Sequence, residues 1–274
     1  MALHTGCSEL TLQCLKAAKG KRRPMIELFV DENTPEEIWN AAFETVRTQG
    51  GQPAFYNPKV LLGGLKKKFS IPDADLKAFC GGGCTESEIA GMSCVGSLDA
   101  GINLLLILER EIYEKLPECA GFDELYSEYI AAVKSVTDEI TEKISLSQAE
   151  RAKYNPVPMR TFLTDDCIDS ATEFYSGGAR YNWSIVNFAG MINVIDSMLA
   201  IKDLVFDKKV LTAEELIEKL KNNDSQFLSA CRKSKKAFGT DDDDVNSFAK
   251  KLSHDIYSML DGKKPHIGSG FIPA

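Results

Sequence analysis

A glycine-rich stretch, Gly81 to Gly91, places a cysteine and a carboxylate close together in the sequence. Three glycines precede Cys84, and Glu86 follows two residues after it. Because glycine tolerates backbone conformations that other residues avoid, this run predicts a tight, finger-like loop and not a helix or strand. Residues two apart on an extended or turning backbone can project toward the same side. Cys84 and Glu86 can therefore face one substrate, as a thiol beside an acid or base.

The alternative interpretation of Cys84 is a small buried hydrophobe, which is what most free cysteines are. The flanking glycines and Glu86 favour the reactive interpretation. A Cys-His nucleophile pair is not predicted, since the three histidines lie near the two ends of the chain. No metal site is predicted either, because Cys80 and Cys84 have no further cysteine at the short spacing of a zinc or iron–sulfur site.

The composition is that of a soluble globular protein. The chain has 274 residues, of which 44% are hydrophobic and 26% charged, and its formal net charge is −8. This acidity argues against nucleic acid as a partner, and no apolar run is long enough for a membrane span. With eight cysteines and no signal peptide pattern, we expect free thiols and a cytoplasmic location.

Hydrophobic periodicity predicts α/β alternation followed by a strongly helical region. No linker or repeat interrupts the chain, so we treat 1–274 as one domain. The predicted strands are 25–30, 54–56 and 185–188, and the segment 268–274 is predicted to be a strand or a loop. The predicted helices are 10–18, 35–46, 58–69, 73–79, 102–116, 122–151, 191–205, one beginning after Thr212, and 245–260.

Several motifs occur in the order and at the spacing of a known family. They are Gly50 to Asn57 (GGQPAFYN), Gly83 to Glu86 (GCTE), Asp99 to Gly101 (DAG), Gly178 to Trp183 (GARYNW), Val194 to Lys202 (VIDSMLAIK), Phe238 to Asp242 (FGTDD) and Phe271 to Pro273 (FIP). Together they resemble the glycyl radical enzymes, the pyruvate formate-lyase-like family. The resemblance covers nearly the whole chain.

The resemblance implies that the chain is part of a ten-stranded α/β barrel with many surrounding helices and a cysteine loop at its centre. It also implies that Cys84 becomes a thiyl radical that abstracts hydrogen from a small-molecule substrate. Glu86 is then the acid or base of a dehydratase or lyase that breaks C–O, C–N, C–S or C–C bonds. A buried carboxyl suits this role, because burial raises its pKa toward neutrality. The resemblance assigns Asp99 to substrate binding.

Departures from the family pattern define the alternatives. The cysteine pair of pyruvate formate-lyase is absent, which argues against formate acetyltransferase activity. Many relatives have histidine before the Asp-Ala-Gly triplet, where this chain has Leu98. The glycyl radical motif is also absent, so we expect a fragment or one part of a split enzyme, with the radical on a complementing segment. Its installation implies an S-adenosylmethionine-dependent activating enzyme, and we expect a homo-oligomer. The other alternative is a non-catalytic barrel remnant that binds a ligand.

Overall fold

The computed structural model describes residues 2–3, 8–23, 25–49, 52–82, 86–97, 99–232 and 237–274. The chain separates into two compact units, each built from two stretches of sequence. Unit 1 contains residues 1–97 and 155–182, and unit 2 contains residues 98–154 and 183–274. The assignment of 1–274 to one domain stays a prediction.

Helices and strands alternate in the first third of the described residues, and helices dominate afterwards. The strands are β1 (Ala2–Leu3), β2 (Glu27–Phe29), β3 (Ala54–Tyr56), β4 (Phe79–Gly82), β5 (Glu86–Ile89), β6 (Ser93–Cys94), β7 (Ala100–Asn103), β8 (Tyr181–Asn182), β9 (Ser184–Ala189) and β10 (Phe271–Pro273). The α-helices are α1 (Ser8–Ala18), α2 (Glu36–Gln49), α3 (Pro58–Phe69), α4 (Asp73–Leu76), α5 (Leu104–Glu114), α6 (Phe122–Tyr154), α7 (Pro158–Leu163), α8 (Met191–Ile201), α9 (Ala213–Lys221), α10 (Ser225–Arg232) and α11 (Asp243–Tyr257). None of these helices is both long and apolar enough to cross a membrane.

Unit 1 is organised around a parallel sheet in the order β1-β2-β3. All three residues of β2 are buried, so this strand lacks the alternation of a half-exposed strand. Apolar side chains of α1 and α2, including Leu15 and Ile38, pack with Leu28 of β2 in one hydrophobic cluster. The strand predicted over 25–30 is confirmed over Glu27–Phe29.

Unit 2 contains a second parallel sheet, in the order β10-β9-β7. Its central strand β9 is covered by a large hydrophobic cluster drawn from β7, β9, α5, α6, α8 and α11. The helix predicted to begin at Ile102 is wrong at its start, because Ile102 pairs with Phe188 of β9 as part of β7. Asn103 then accepts hydrogen bonds from the backbone N–H groups of Leu105 and Leu106, which fixes the first turn of α5.

Two further helices follow the sequence signals closely. Thr212 and Glu215 form a reciprocal capping box at the start of α9. Asp242 caps α11 by accepting from the N–H groups of Asp244 and Val245, as expected for the acidic run before that helix. The helix predicted over 191–205 instead ends as α-helix at Ile201 and continues as a π-helix over Lys202–Asp207.

Candidate functional site

Among the described residues of the glycine-rich stretch, Gly81 and Gly82 lie in one strand and Glu86–Ile89 in an antiparallel partner, so the prediction of a loop is wrong for these residues. In the β4–β5 hairpin, Gly82 lies opposite Glu86 and Cys80 lies opposite Glu88. Residues 83–85, among them Cys84, join these strands in the sequence and lie outside the described residues. The assignment of Cys84 as the reactive thiol therefore stays a prediction.

At two positions, Gly81 and Gly82, glycine is required because side chains of other residues come close to the backbone, and not because the backbone forms a loop. A Cβ at Gly81 would lie 2.6 Å from the carboxyl carbon of Glu27, and a Cβ at Gly82 would overlap the Glu88 carboxylate. Real Cβ atoms do not come this near to other heavy atoms. Both glycines are paired strand residues, and their missing side chains leave room for neighbouring carboxylates.

Glu86 is the most deeply buried carboxylate of the hairpin. It is 1% exposed at the first position of β5. The Ser97 hydroxyl donates a hydrogen bond to its Oε1 over 3.0 Å. A hydrogen bond donated to a carboxylate favours the ionised form, whereas burial favours the protonated form. Glu86 therefore lies in surroundings that can support either protonation state, as an acid–base group requires.

Glu88 is a second, half-buried carboxyl on the same strand. Its pKa is raised above the ordinary value of 4.5, first by burial and then by the negative charge of Glu86; the Arg160 guanidinium opposes this shift and Glu27 adds to it. The pKa of the Cys80 thiol is also raised, by burial and then by Glu88 and Glu27. The surroundings of Cys80 thus favour its neutral thiol over the thiolate.

Glu27 and Tyr56 approach the hairpin from β2 and β3. The backbone N–H of Gly81 donates to Glu27 Oε2 over 3.1 Å. Tyr56 is only 3% exposed, and its hydroxyl has no hydrogen-bond partner among the described residues. Burial, followed by the charge of Glu27, raises the pKa of this phenol well above 10. The Tyr56 ring stacks on Phe29 with centroids 5.4 Å apart, which fixes its position beneath the hairpin.

These carboxylates do not form a metal site. Across the part of the chain that the structure describes, no group of three or more histidine, cysteine, aspartate or glutamate side chains is placed to hold a metal ion.

Asp99, the predicted substrate-binding residue, belongs to unit 2 and has a structural set of partners there. Its carboxylate accepts hydrogen bonds from Gln148 Nε2 at 2.7 Å, Arg151 Nη2 at 2.8 Å and Ser184 Oγ at 2.8 Å. The Asp99 side chain is 4% exposed. Gln148 also accepts from the Ile267 N–H through its Oε1. Asp99 therefore ties β9 and α6 together within unit 2.

Three residues of the hairpin's surroundings were missed by sequence reasoning: Glu88, Ser97 and Glu27. The Glu-Ser-Glu order of residues 86–88 was a usable signal, since residues two apart share one face of a strand. That order indicates a shared face only in a strand, and the glycines of this segment predict a loop. Glu27 reaches the hairpin only through tertiary packing, because 54 residues separate it from Gly81.

Comparison with known families decides the classification. The model of the pyruvate formate lyase-like family matches residues 3–273. The chain belongs to this family. The resemblance carried by the cysteine motif and its flanking segments is thereby confirmed.

Curated relatives are dehydratases and a lyase by name. The chain is 26% identical to the (2S)-3-sulfopropanediol dehydratase of Klebsiella oxytoca over 287 residues, 97% of this chain and 35% of that protein. It is also 26% identical to the trans-4-hydroxy-L-proline dehydratase of Clostridioides difficile, over 91% of this chain and 34% of the relative. The chain thus spans about a third of the length of these relatives.

Solved structures agree with this classification. The B12-independent glycerol dehydratase of Clostridium butyricum, in its glycerol-bound form, matches with a TM-score of 0.78 and 25% identity, over 97% of this chain and 36% of that one. The hydroxyproline dehydratase of Clostridioides difficile has the same TM-score at 22% identity, over 98% of this chain and 36% of the other, which is a likeness of fold. The predicted fold class, α/β and part of a glycyl radical enzyme barrel, is confirmed.

Proposed function

We propose that the protein containing these 274 residues is a glycyl radical dehydratase or lyase, and that the β4–β5 hairpin carries its reactive thiol. The observation that carries this proposal is the placement of Glu86, a carboxylate buried to 99% directly after the segment that contains Cys84. The family relationship supports the reaction class.

The chemistry of the hairpin fits the radical that the family uses. A glycyl radical would remove a hydrogen atom from the Cys84 thiol. That step requires an S–H bond, and in the same hairpin burial followed by the charges of Glu88 and Glu27 raises the pKa of Cys80, which favours its protonated form. The burial of Glu86 limits its contact with water, which suits an acid–base group beside a reactive intermediate.

In our proposal Cys84 and Glu86 divide the reaction between them. The Cys84 thiyl takes a hydrogen atom from a substrate C–H bond and leaves the unpaired electron on that carbon. With a 1,2-diol, Glu86 then accepts the proton of the hydroxyl on that carbon and passes it to the hydroxyl of the neighbouring carbon. The C–O bond of the neighbouring carbon breaks, water leaves, the first hydroxyl becomes a carbonyl, and the unpaired electron moves to the neighbouring carbon. The product radical finally takes the hydrogen atom back from Cys84. The sequence is redox-neutral, and Glu86 ends it in its starting state.

The remaining assignments belong to the same proposal. The substrate is a small molecule with a leaving group next to the carbon that loses hydrogen. An S-adenosylmethionine-dependent activating enzyme installs the radical. Asp99 joins β9 and α6 within unit 2 through its bonds to Arg151 and Ser184, and its contact with substrate stays a prediction.

Variants of the hairpin test the proposal in an anaerobic assay. The chain is combined with the activating enzyme and a polypeptide bearing the glycyl radical motif, and is supplied with deuterated glycerol, 1,2-propanediol, (2S)-3-sulfopropanediol or trans-4-hydroxy-L-proline. Product formation and loss of deuterium to the thiol are measured together. We expect Cys84→Ser to abolish both, because an O–H bond is too strong to replace the thiol. Cys80→Ser, the matched control, should keep most activity.

Glu86→Gln separates the two steps. The amide keeps the size and polarity of the side chain but cannot exchange a proton, so we expect deuterium exchange to persist while product formation falls by about 10²–10⁴-fold. Full product formation in Glu86→Gln would refute the acid–base assignment. Neither product nor exchange from the wild-type chain, with all four compounds, would favour the non-catalytic binding protein.

A further inference from the structure

We propose that Glu88 is a positioning residue that shares a single proton with Glu86, so that the two carboxyls together carry one negative charge. This inference rests on the proposed acid–base role of Glu86. It concerns a residue that takes no part in the reaction steps given above.

The strand geometry brings the two carboxyls together. Glu86 and Glu88 are two residues apart on β5 and therefore project from the same face. Gly82 lies directly opposite Glu86, and the Glu88 carboxylate occupies the space that a Gly82 side chain would fill. Opposite Cβ positions of an antiparallel pair are about 5 Å apart. The Glu88 carboxylate is thus held beside Glu86 by the absence of a side chain at Gly82.

Two like charges this close in a buried setting do not both ionise readily. The groups that face Glu88 from other elements are mostly acidic or neutral: Glu27 from β2, Cys80 from β4 and Tyr56 from β3. Arg160 of α7 is the cation that opposes them. Its guanidinium also donates to the Tyr175 hydroxyl and lies over the Phe174 ring, so its charge is not directed at the carboxyl pair alone.

Hydrogen bonding decides which carboxyl of the pair is ionised. The Ser97 hydroxyl donates to Glu86 and so stabilises its charged form. Among the described residues, none donates a hydrogen bond to the side chain of Glu88. The proton therefore resides on Glu88, and Glu86 is the base. With Glu88 neutral, Glu86 can remain ionised despite its burial.

The experiment is a pH titration of the isolated chain labelled with ¹³C at the glutamate carboxyls and followed by nuclear magnetic resonance. Signals of Glu86 and Glu88 are assigned by their loss in the Gln variants. In the wild type we expect the pair to titrate in two coupled steps, with one proton retained at pH values where exposed glutamates have lost theirs. In Glu88→Gln, Glu86 should titrate in one step close to the first step of the wild type, because the amide has the charge of a protonated Glu88, and the second step should be absent. Glu142→Gln, the same change on an exposed helix face, should leave the Glu86 titration unchanged.

A second variant keeps the test decisive if Glu88→Gln does not fold. Proton sharing is reciprocal, so Glu86→Gln should lower the pH at which Glu88 titrates. Arg160→Gln should raise it, because that cation favours ionised Glu88. A second titration step of Glu86 that persists in Glu88→Gln, or an unchanged Glu88 midpoint in Glu86→Gln, would overturn the inference.

The pH dependence of stability gives an independent measurement. Because the pKa of Glu88 is raised in the folded chain, the folded state holds a proton that the unfolded state releases above about pH 4.5. This carboxyl's contribution to stability is therefore present below pH 4.5 and lost as pH rises. Glu88→Gln should gain stability over wild type only at the higher pH values, and an advantage independent of pH would contradict proton sharing.

The titrations need no turnover, so this inference and the proposed function fail separately. Uncoupled titrations together with a large loss of product in Glu86→Gln would remove only the proton sharing. Coupled titrations with full activity in Glu86→Gln would remove the acid–base role of Glu86 and leave a structural carboxyl pair.

Discussion

Replacing Asp99 with asparagine tests whether this residue holds unit 2 together. The substitution preserves the shape of the side chain but removes its charge and turns one acceptor oxygen into a donor NH₂ group. Three groups now donate hydrogen bonds to this carboxylate: Gln148, Arg151 and Ser184. In the asparagine variant at least one of them no longer has an oxygen that accepts its hydrogen bond. Arg151, whose side chain is 27% exposed, also loses its ionic partner.

The magnitude follows from the burial of the pair. A hydrogen bond to a charged group contributes about 1.5–3 kcal/mol, and removal of one partner from a buried ion pair costs about 3–5 kcal/mol. Arg151 is partly exposed and can regain some hydration, so we expect the lower end, a loss of about 3 kcal/mol. Because small domains have only about 5–15 kcal/mol of stability in total, such a loss is easily measured.

The two tryptophans allow each unit to be observed by itself. Trp183 belongs to unit 2, is 1% exposed and is next to Ser184, whereas Trp39 belongs to unit 1. In a Trp39→Phe background, fluorescence therefore reports unit 2 alone. In urea unfolding, Asp99→Asn should lower the midpoint concentration of urea without changing the dependence of the unfolding free energy on urea concentration.

The same substitution at Asp138 provides the control. Asp138 is also on α6 and pairs with Lys134 and Lys263, but its side chain is 41% exposed. A pair this exposed contributes about 0–1 kcal/mol. If Asp99→Asn costs no more than Asp138→Asn, the three hydrogen bonds do not stabilise unit 2. Retained stability with weakened substrate binding would instead support the predicted ligand role of Asp99.

Three further substitutions in unit 1 are followed by the midpoint of urea unfolding in circular dichroism, and we expect one to destabilise and two to stabilise the chain. Gly178→Ala would bring a Cβ to 2.8 Å from the carbonyl carbon of Thr172, which cannot move aside, so we expect a loss of about 1–3 kcal/mol; Gly63→Ala on the open face of α3 should gain up to about 1 kcal/mol. Tyr56→Phe should raise stability by about 1 kcal/mol, because it removes a buried hydroxyl without a partner. A loss would show that a water or another group bonds this hydroxyl.

Elements with strong local signals were predictable from the sequence. The bounds of Ala54–Tyr56 and Pro58–Phe69 agree with the prediction, since Asn57 and Pro58 mark a helix start irrespective of tertiary contacts. The capping box at Thr212 is another local signal. Such signals operate within a few residues, and long-range packing does not override them here.

The errors occur where a partner distant in sequence decides the conformation. Ile102 has a helical pattern on its C-terminal side, yet pairing with Phe188 of β9 makes it a strand residue. The loop prediction for Gly81 and Gly82 depends on the conformational freedom of glycine. In the structure these positions require glycine because a larger side chain would collide with a neighbouring carboxylate. Neither has a positive φ among the described glycines. Local sequence cannot distinguish these two uses of glycine, because the groups that need the space are on other strands.

The same distinction separates the two halves of the candidate site. The sequence motif identifies Cys84 and Glu86 as neighbours, because their relation is local. The protonation state of Glu86 depends on Ser97, eleven residues later, and on Glu88, whose carboxylate reaches it only in the space left at Gly82. A Gly82→Ala substitution would therefore leave every residue of the Cys-x-Glu motif unchanged and still displace Glu88 from Glu86. In our proposal the motif identifies the reacting groups, and the surroundings of β5 determine the charge of Glu86.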